Sequence, residues 1–278
     1  MFISALNVYP VKSCRGIALD SALLTPTGLA FDREWMVVRA NGEFVTQRDL
    51  PRLSLIETRL MPQTLELSAP DMRVLSVPLS GISSPRHAGQ VRVWRDRVEA
   101  LDEGEAAAGW LSEFLATPLR LVRFAPGARR PSNPLYTREH EGLAKFADGY
   151  ALLILGQASV ADLNRRLALK SHAPLPMNRF RPNLVIDGED LGPYDEDRIT
   201  WLRGESIALK PVKPCIRCRI TTTDQLTAEV GTEPLLTLAT YRIHPELGGP
   251  AFGQNAIVVD GVGRTLRTGD TLEIEWNF

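Results

Sequence analysis

Apolar and polar positions alternate along most of this chain, and the alternation predicts many short strands. Residues 2–11 read as an apolar extended segment that stops at Tyr9-Pro10. Trp35-Met36-Val37-Val38-Arg39 runs into Asn41-Gly42, and Phe44-Val45-Thr46 returns; Asn-Gly supplies the positive φ that a tight hairpin turn needs. Residues 55–67 and 73–77 read as further strands, and residues 90–101 as a hairpin turning at Arg95-Asp96. Later strands are predicted at 119–124, 151–155, 184–186, 198–202, 205–212, 219–223, 256–259 and 271–276. Two segments carry the helical period instead. Asp102 reads as the cap of the first, with Glu103 and Glu105 in its first turn and Trp110, Leu111, Phe114 and Leu115 on one face. Residues 157–169 form the second, with Val160, Leu163 and Leu167 on one face, and residues 235–241 read as a short helix or strand. The chain is therefore read as β-rich α+β, built as barrels rather than as a parallel sheet. Residues 125–146, rich in Pro, Gly, Arg and His, read as a linker or a mobile functional loop.

Composition narrows the class. At 278 residues and 44% hydrophobic content, the chain suits one large or two modest soluble domains. A formal net charge of −1 offers no global field for nucleic acid or an anionic membrane, so any anion site must be local. Three cysteines are too few for a disulfide scaffold and suit a reducing compartment. The start, MFISALNVYPVKS, lacks a basic segment followed by an apolar one, and no apolar run approaches the ~20 residues of a membrane span. These features predict a cytoplasmic protein with neither membrane nor nucleic-acid partner.

Residues 210–224, KPVKPCIRCRITTTD, hold the candidate chemistry. Cys215 and Cys218 are flanked by Lys213, Arg217 and Arg219, and nearby positive charge favours thiolate, the nucleophile and metal ligand. Pro214 stiffens the approach, and the β-branched run after Cys218 places it where a turn enters a strand. Four readings follow: two buried packing thiols; half of a zinc site, for which no second Cys-x-x-Cys exists; a dithiol; or one reactive thiolate serving a soft metal or carrying sulfur. Elsewhere Val11-Lys12-Ser13-Cys14-Arg15-Gly16 reads as a solvated turn or a phosphate-holding loop without P-loop spacing. Asp32-Arg33 reads as a surface ion pair, Arg129-Arg130 as cations facing water or an anionic ligand, and the acidic stretch 187–197 as a solvated loop. The arginines of Arg179-Phe180-Arg181-Pro182-Asn183 suit an anion or local backbone carbonyls.

Tyr9-Pro10-Val11-Lys12-Ser13, Phe31-Asp32-Arg33, Phe180-Arg181-Pro182-Asn183, Lys213-Pro214-Cys215-x-Arg217-Cys218 with Thr221-Thr222, and Phe252-Gly253-Gln254-Asn255 occur in that order. In these blocks the chain resembles the MOSC-domain proteins that also carry the N-terminal MOSC β-barrel domain, among them the mitochondrial amidoxime reducing component and its bacterial counterparts. The resemblance spans essentially the whole chain. It implies a β-barrel domain over residues 1–124 packed on a MOSC domain over residues 125–278 with a few helices, and molybdenum cofactor between them. By the same resemblance Cys218 ligates molybdenum and is the catalytic residue. Lys12, Ser13, Arg33, Arg181 and Asn183 hold the pterin and its phosphate, and Asp148, Gly149, Tyr150, Arg217, Gln254 and Asn255 line the site. The implied activity is reduction of N-hydroxylated compounds (hydroxylamines, amidoximes and N-hydroxylated bases) by oxygen-atom transfer to the Cys218-ligated metal. Two departures bear on it: no four-cysteine cluster site follows the last strand, and no N-terminal anchor precedes the first. The chain is thus expected to draw electrons from a separate ferredoxin- or flavin-type donor. Persulfide transfer on Cys218 and a non-catalytic carrier of the cofactor are the alternatives. The stretch 129–140 is expected to cover the metal.

Overall fold

The structure is a computed structural model that describes residues 1–80 and 86–277, with the side chains of residues 86–88 left out. Its largest sheet has nine strands. Glu273–Trp276, Ile199–Gly204, Ile207–Ile216, Gly249–Asp260, Leu152–Gly156, Leu184–Asp187, Phe2–Val8 and Ile17–Leu19 neighbour one another in that order, and Ile243–His244 pairs beside Gly249–Asp260. All pair antiparallel except Leu152–Gly156 with Leu184–Asp187. A parallel pair needs a crossover, and the helix Gln157–Ala168 supplies it. A four-stranded sheet orders Trp35–Val38, Arg120–Phe124, Asp96–Asp102 and Arg86–Val93. Two three-stranded sheets complete the β structure, one of Thr265–Arg267, Ser21–Thr25 and Gly28–Leu29 and the other of Glu57–Leu60, Thr64–Ser68 and Leu75–Pro78. The first strand thus lies in the large sheet with strands from the chain's second half, and the Ser21–Thr25 strand pairs with Thr265–Arg267.

The core follows the alternation in the sequence. Ile3, Leu6 and Val8 of the first strand pack with Leu184, Ile186, Leu152, Ile154, Ala256 and Val258. Trp110, Leu111, Phe114 and Leu115, the predicted helix face, pack with Trp35, Leu53, Leu65, Leu67 and Val77. Leu155, Leu163, Leu167, Phe180 and Phe252 form a third cluster under the crossover helix. Gly253 lies inside the long Gly249–Asp260 strand with φ +80°, and a Cβ there would stand 2.8 Å from the Ile154 carbonyl oxygen. Only glycine lets the two strands approach this closely.

Several expectations change. Residues 219–223 are not a strand: Arg219–Thr222 form a single 3-10 turn. The Thr221 and Thr222 hydroxyls donate to the carbonyls of Cys218 (3.0 Å) and Arg219 (2.7 Å), so the threonines fold the backbone back rather than extending it. Cys218 therefore sits where the Ile207–Ile216 strand leaves the sheet, not where one begins. The first helix starts at Glu105, and Asp102 ends a strand while its carboxylate accepts the Gly104 N–H at 2.7 Å. Glu103 lies outside the helix, where it accepts from Trp35 Nε1 (2.6 Å) and pairs with Arg123 (2.7 Å). The return of the Asn41-Gly42 turn is a single bridge, Val38 to Phe44. Arg130 does not face water; it is buried and donates to the carbonyls of Lys145, Ala147 and Asp148.

The acidic stretch is not wholly solvated either. Glu196 is buried, accepts the Ser159 hydroxyl at 2.6 Å, and leaves its Oε1 without a partner. Burial raises its carboxyl pKa to about 7. A carboxyl raised on folding binds its proton more tightly in the native state, so stability falls as pH rises from roughly 4.3 toward the native value. Glu196→Gln should remove that slope. Thermal melts at about pH 8 should rise relative to wild type, while melts near pH 4 stay equal; parallel melting curves for both proteins across the range would refute the assignment.

Candidate functional site

The first loop leaves the sheet after Val8 and is held by Trp35, whose carbonyl accepts the Lys12 N–H at 2.8 Å. Ser13 then adopts φ +68°, a left-handed backbone that side chains disfavour. Gln47, itself buried, donates to the Ser13 carbonyl at 2.7 Å and fixes that turn. The buried Lys12 ammonium donates to the carbonyl of Phe146 (2.8 Å) and to Asp148 Oδ1 (2.6 Å). Desolvation alone would raise the Asp148 carboxyl, but the Lys12 charge and hydrogen bond outweigh it and hold the group well below the usual carboxylate range. Burial lowers the Lys12 pKa in turn.

Asp32-Arg33 is not a surface pair. The Asp32 side chain is 1% exposed; its Oδ1 accepts the Tyr9 N–H at 2.9 Å and Arg33 Nη1 at 2.6 Å. Arg33 has φ +46° and also donates to Asn183 Oδ1 (3.0 Å) and the Arg181 carbonyl (3.2 Å). Arg181 has φ +58° and donates to the Cys14 carbonyl at 2.7 Å. Both guanidinium groups lie 4.2 Å from the centre of the Tyr9 ring. A Cβ on Gly16 would stand 2.4 Å from that ring, so the glycine lets Tyr9 lie flat beneath the loop. Burial pushes Tyr9 up to about 12 and Arg181 down to about 10. The Asn183 amide has partners on both atoms: besides Arg33, its oxygen accepts the Leu153 N–H (3.1 Å) and its nitrogen donates to the Asn7 carbonyl (3.1 Å).

Arg217 reaches the same place from the strand end, donating to Cys215 Sγ (2.9 Å) and the Phe180 carbonyl (2.7 Å). Its Nε is buried without a partner. Lys12, Ser13, Arg33, Asp148, Gly149, Tyr150, Arg181, Asn183, Arg217, Cys218 and Asn255 all line one cleft of about 130 Å³. Gln254 does not. Successive strand residues point to opposite faces, and its amide donates at 2.7 Å to Asp197 instead. Sequence reasoning missed Thr46, Cys215 and Thr221 as lining residues. Cys215 and Thr221 lay inside quoted blocks; Thr46 follows a hairpin turn and carried no signal of its own.

Four cations and one carboxylate face the cleft, so an anion is favoured there even though the whole chain is near neutral. The unpartnered Arg217 Nε, the excess of cations and the thiol of Cys218 fit a ligand that is anionic and carries a soft metal. The zinc reading has no support: among the described residues no three His, Cys, Asp or Glu side chains converge.

The chain belongs to the family of MOSC-domain proteins that carry the N-terminal MOSC β-barrel domain. It matches the MOSC N-terminal beta barrel domain over residues 1–118 and the MOSC domain over residues 141–273. Over 96% of its length it is 38% identical to mitochondrial amidoxime-reducing component 1 of Homo sapiens, of which it spans 81%. Over 87% it is 34% identical to mitochondrial amidoxime reducing component 2 of Bos taurus, of which it spans 72%. It is also 33% identical over 86% of its length to molybdenum cofactor sulfurase of Oryza sativa subsp. japonica, spanning 31% of that longer protein. These matches bear out the resemblance and agree with the molybdenum cofactor it implied. They overturn the expectation of a cytoplasmic protein, since the relatives matched over most of the chain are named as mitochondrial. Among the described residues no helix is long and apolar enough to cross a membrane.

Asp32→Ala tests whether the buried carboxylate organises the site. Removing one partner of a buried pair leaves Arg33 uncompensated and the Tyr9 N–H unpaired, at a cost of about 3 kcal/mol. Denaturant unfolding should register that loss, with cofactor content falling in parallel; unchanged stability would show the pair to be dispensable.

Proposed function

We propose that this protein is a molybdenum-dependent reductase of N-hydroxylated compounds, with hydroxylamines, amidoximes and N-hydroxylated bases as its substrate class. The observation that carries the reading is the cleft itself. Residues from five separated blocks meet there, and Ser13, Arg33 and Arg181 are each held in left-handed backbone to meet. Such conformations cost roughly 1–3 kcal/mol each and cluster where geometry serves function. Relatives named for amidoxime reduction support the activity.

In this reading residues 1–124 and 125–278 supply opposite walls of the cleft. Lys12, Ser13, Arg33 and Arg181 bind the pterin phosphate through ammonium, hydroxyl and guanidinium donors. Asn183 orients Arg33 through its amide oxygen, which also accepts the Leu153 N–H, while its nitrogen donates one N–H to Asn7 and keeps a second for the ligand. Asp148, Gly149, Tyr150 and Asn255 line the pterin's edge, and Arg217 offers its free Nε–H. Cys218 provides the thiolate ligand to molybdenum. When bound, the cofactor supplies a centre that accepts an oxygen atom from an N–OH group and is reset by two electrons. Those electrons come from a separate donor protein of ferredoxin or flavin type.

The relative named as a molybdenum cofactor sulfurase favours one second reading, in which Cys218 carries a persulfide. A mass increase of one sulfur on the Cys218 peptide would favour it over the reductase.

Elemental analysis of protein from a host that makes molybdenum cofactor should find about one molybdenum and one pterin per chain, as a single soft-ligand site requires. Benzamidoxime should be reduced with a chemical electron donor. Cys218→Ala should abolish turnover, while Cys215→Ala largely keeps it. Equal loss in both variants would reject Cys218 as the sole ligand, and wild type without molybdenum would reject the reductase.

A further inference from the structure

A second, larger groove of about 1230 Å³ opens beside the cleft and shares Asp148, Gly149 and Tyr150 with it. One wall is the tip of the hairpin between Arg86–Val93 and Asp96–Asp102. There Trp94 takes φ +57°, stays 39% exposed, and donates from Nε1 to Asp148 Oδ1 at 3.2 Å, the same oxygen that accepts Lys12. Its ring lies 5.3 Å from that of Phe44. Arg138 lines it too, as does Lys213 on the Ile207–Ile216 strand that leads to Cys218. The groove therefore presents aromatic surface within reach of the cleft mouth.

The lining carries five carboxylates and five Arg or Lys side chains, and three of those carboxylates are paired with cations from outside it. Each carboxylate that lines it is answered by a cation: Glu43 by Arg92, Asp96 by Arg130, Glu139 by Lys210, Glu141 by Arg129 and Asp148 by Lys12. Among the described residues, Arg95, Arg138 and Lys213 line the groove with no carboxylate partner. Lys213 rests 4.4 Å over the Tyr136 ring, a contact that leaves its charge uncompensated. Aromatic walls suit a flat ring, and three unanswered cations suit an acidic group on it. The concave shape and volume fit a small molecule better than the face of a protein.

We propose that this groove seats the substrate and selects N-hydroxylated compounds built on a flat ring that bears a carboxylate or a phosphate-type group. The inference rests on the reductase reading for the N-hydroxyl part alone; the selection for ring and charge rests on the groove.

Calorimetry on the full, cofactor-containing chain without an electron donor separates binding from turnover. The probes are benzamidoxime, 4-carboxybenzamidoxime and the matching phosphonate, which distinguishes the two sources of negative charge. At low ionic strength at least one acidic probe should bind about 10-fold more tightly than benzamidoxime, and added salt should shrink the gap. The triple variant Arg95→Gln, Arg138→Gln, Lys213→Gln should bring the ratio to within about 2-fold. The exposed Arg59→Gln, outside the groove lining and paired with none of its carboxylates, should leave it intact. Equal affinities in wild type, or a preference that survives the triple variant, would overturn the proposal. So would a triple variant that is impaired only with a protein electron donor while wild type shows no acid preference, because the cations would then serve docking. A molybdenum-bearing protein that reduces no N-hydroxylated compound but keeps the acid preference would instead overturn the reductase reading and leave the groove's selectivity standing.

Discussion

The buried carboxylate of Asp32 is the point on which the site depends. It takes the Tyr9 N–H and the Arg33 guanidinium at once, and so joins the loop after the first strand to the start of the Trp35–Val38 strand. Tyr9 then becomes the platform on which Arg33 and Arg181 both stack. Without that carboxylate, the two guanidinium groups beside one ring would lose the buried negative charge that offsets them. A buried ion pair is weak as a source of stability, because desolvation consumes most of its attraction. Here it specifies geometry: three segments far apart in sequence are brought to a single register.

The same arrangement explains how the fold tolerates a cleft rich in positive charge. Burial lowers Arg181 to about 10, the direction expected when a cation lacks enough counter-charge. The protein answers mainly with backbone carbonyls. Phe146 takes Lys12, Cys14 takes Arg181, and Phe180 takes Arg217. Carbonyl dipoles fix a cation's position without cancelling its charge, so the site stays attractive to an anion. Asn183 extends the scheme by tying Arg33 to the Phe2–Val8 and Leu152–Gly156 strands. Arg33 is thus anchored to two strands of the large sheet, and a sheet holds a constellation more accurately than loops do.

How much of this was legible in the sequence follows from range. Alternating apolar residues and the helical face at Trp110–Leu115 marked the core, because those periods are local and burial enforces them. The ordered blocks marked the cleft, since each carries its own chemistry. Burial of a charged pair was not legible: Asp32-Arg33 reads as a surface pair until a tyrosine amide and an arginine from other segments close over it. The threonines after Cys218 misled for a related reason. β-Branching favours a strand, but hydroxyls bonded to carbonyls three residues back turn the chain, and the large sheet had already closed on other strands. Gln254 was misplaced because membership of a block says nothing about which face of a strand a residue takes.

Asp148 shows how cleft and groove become one device. A single carboxylate oxygen accepts Lys12 from the cleft and Trp94 from the groove. Arg130 holds the backbone beneath it through the carbonyls of Lys145, Ala147 and Asp148. Arg48 stacks 4.4 Å from the Trp94 ring. The Trp94 ring thus lies against one cation and its N–H on one carboxylate. The indole that lines the groove is therefore tied through one oxygen to the lysine that lines the cleft, beside the residues the two spaces share.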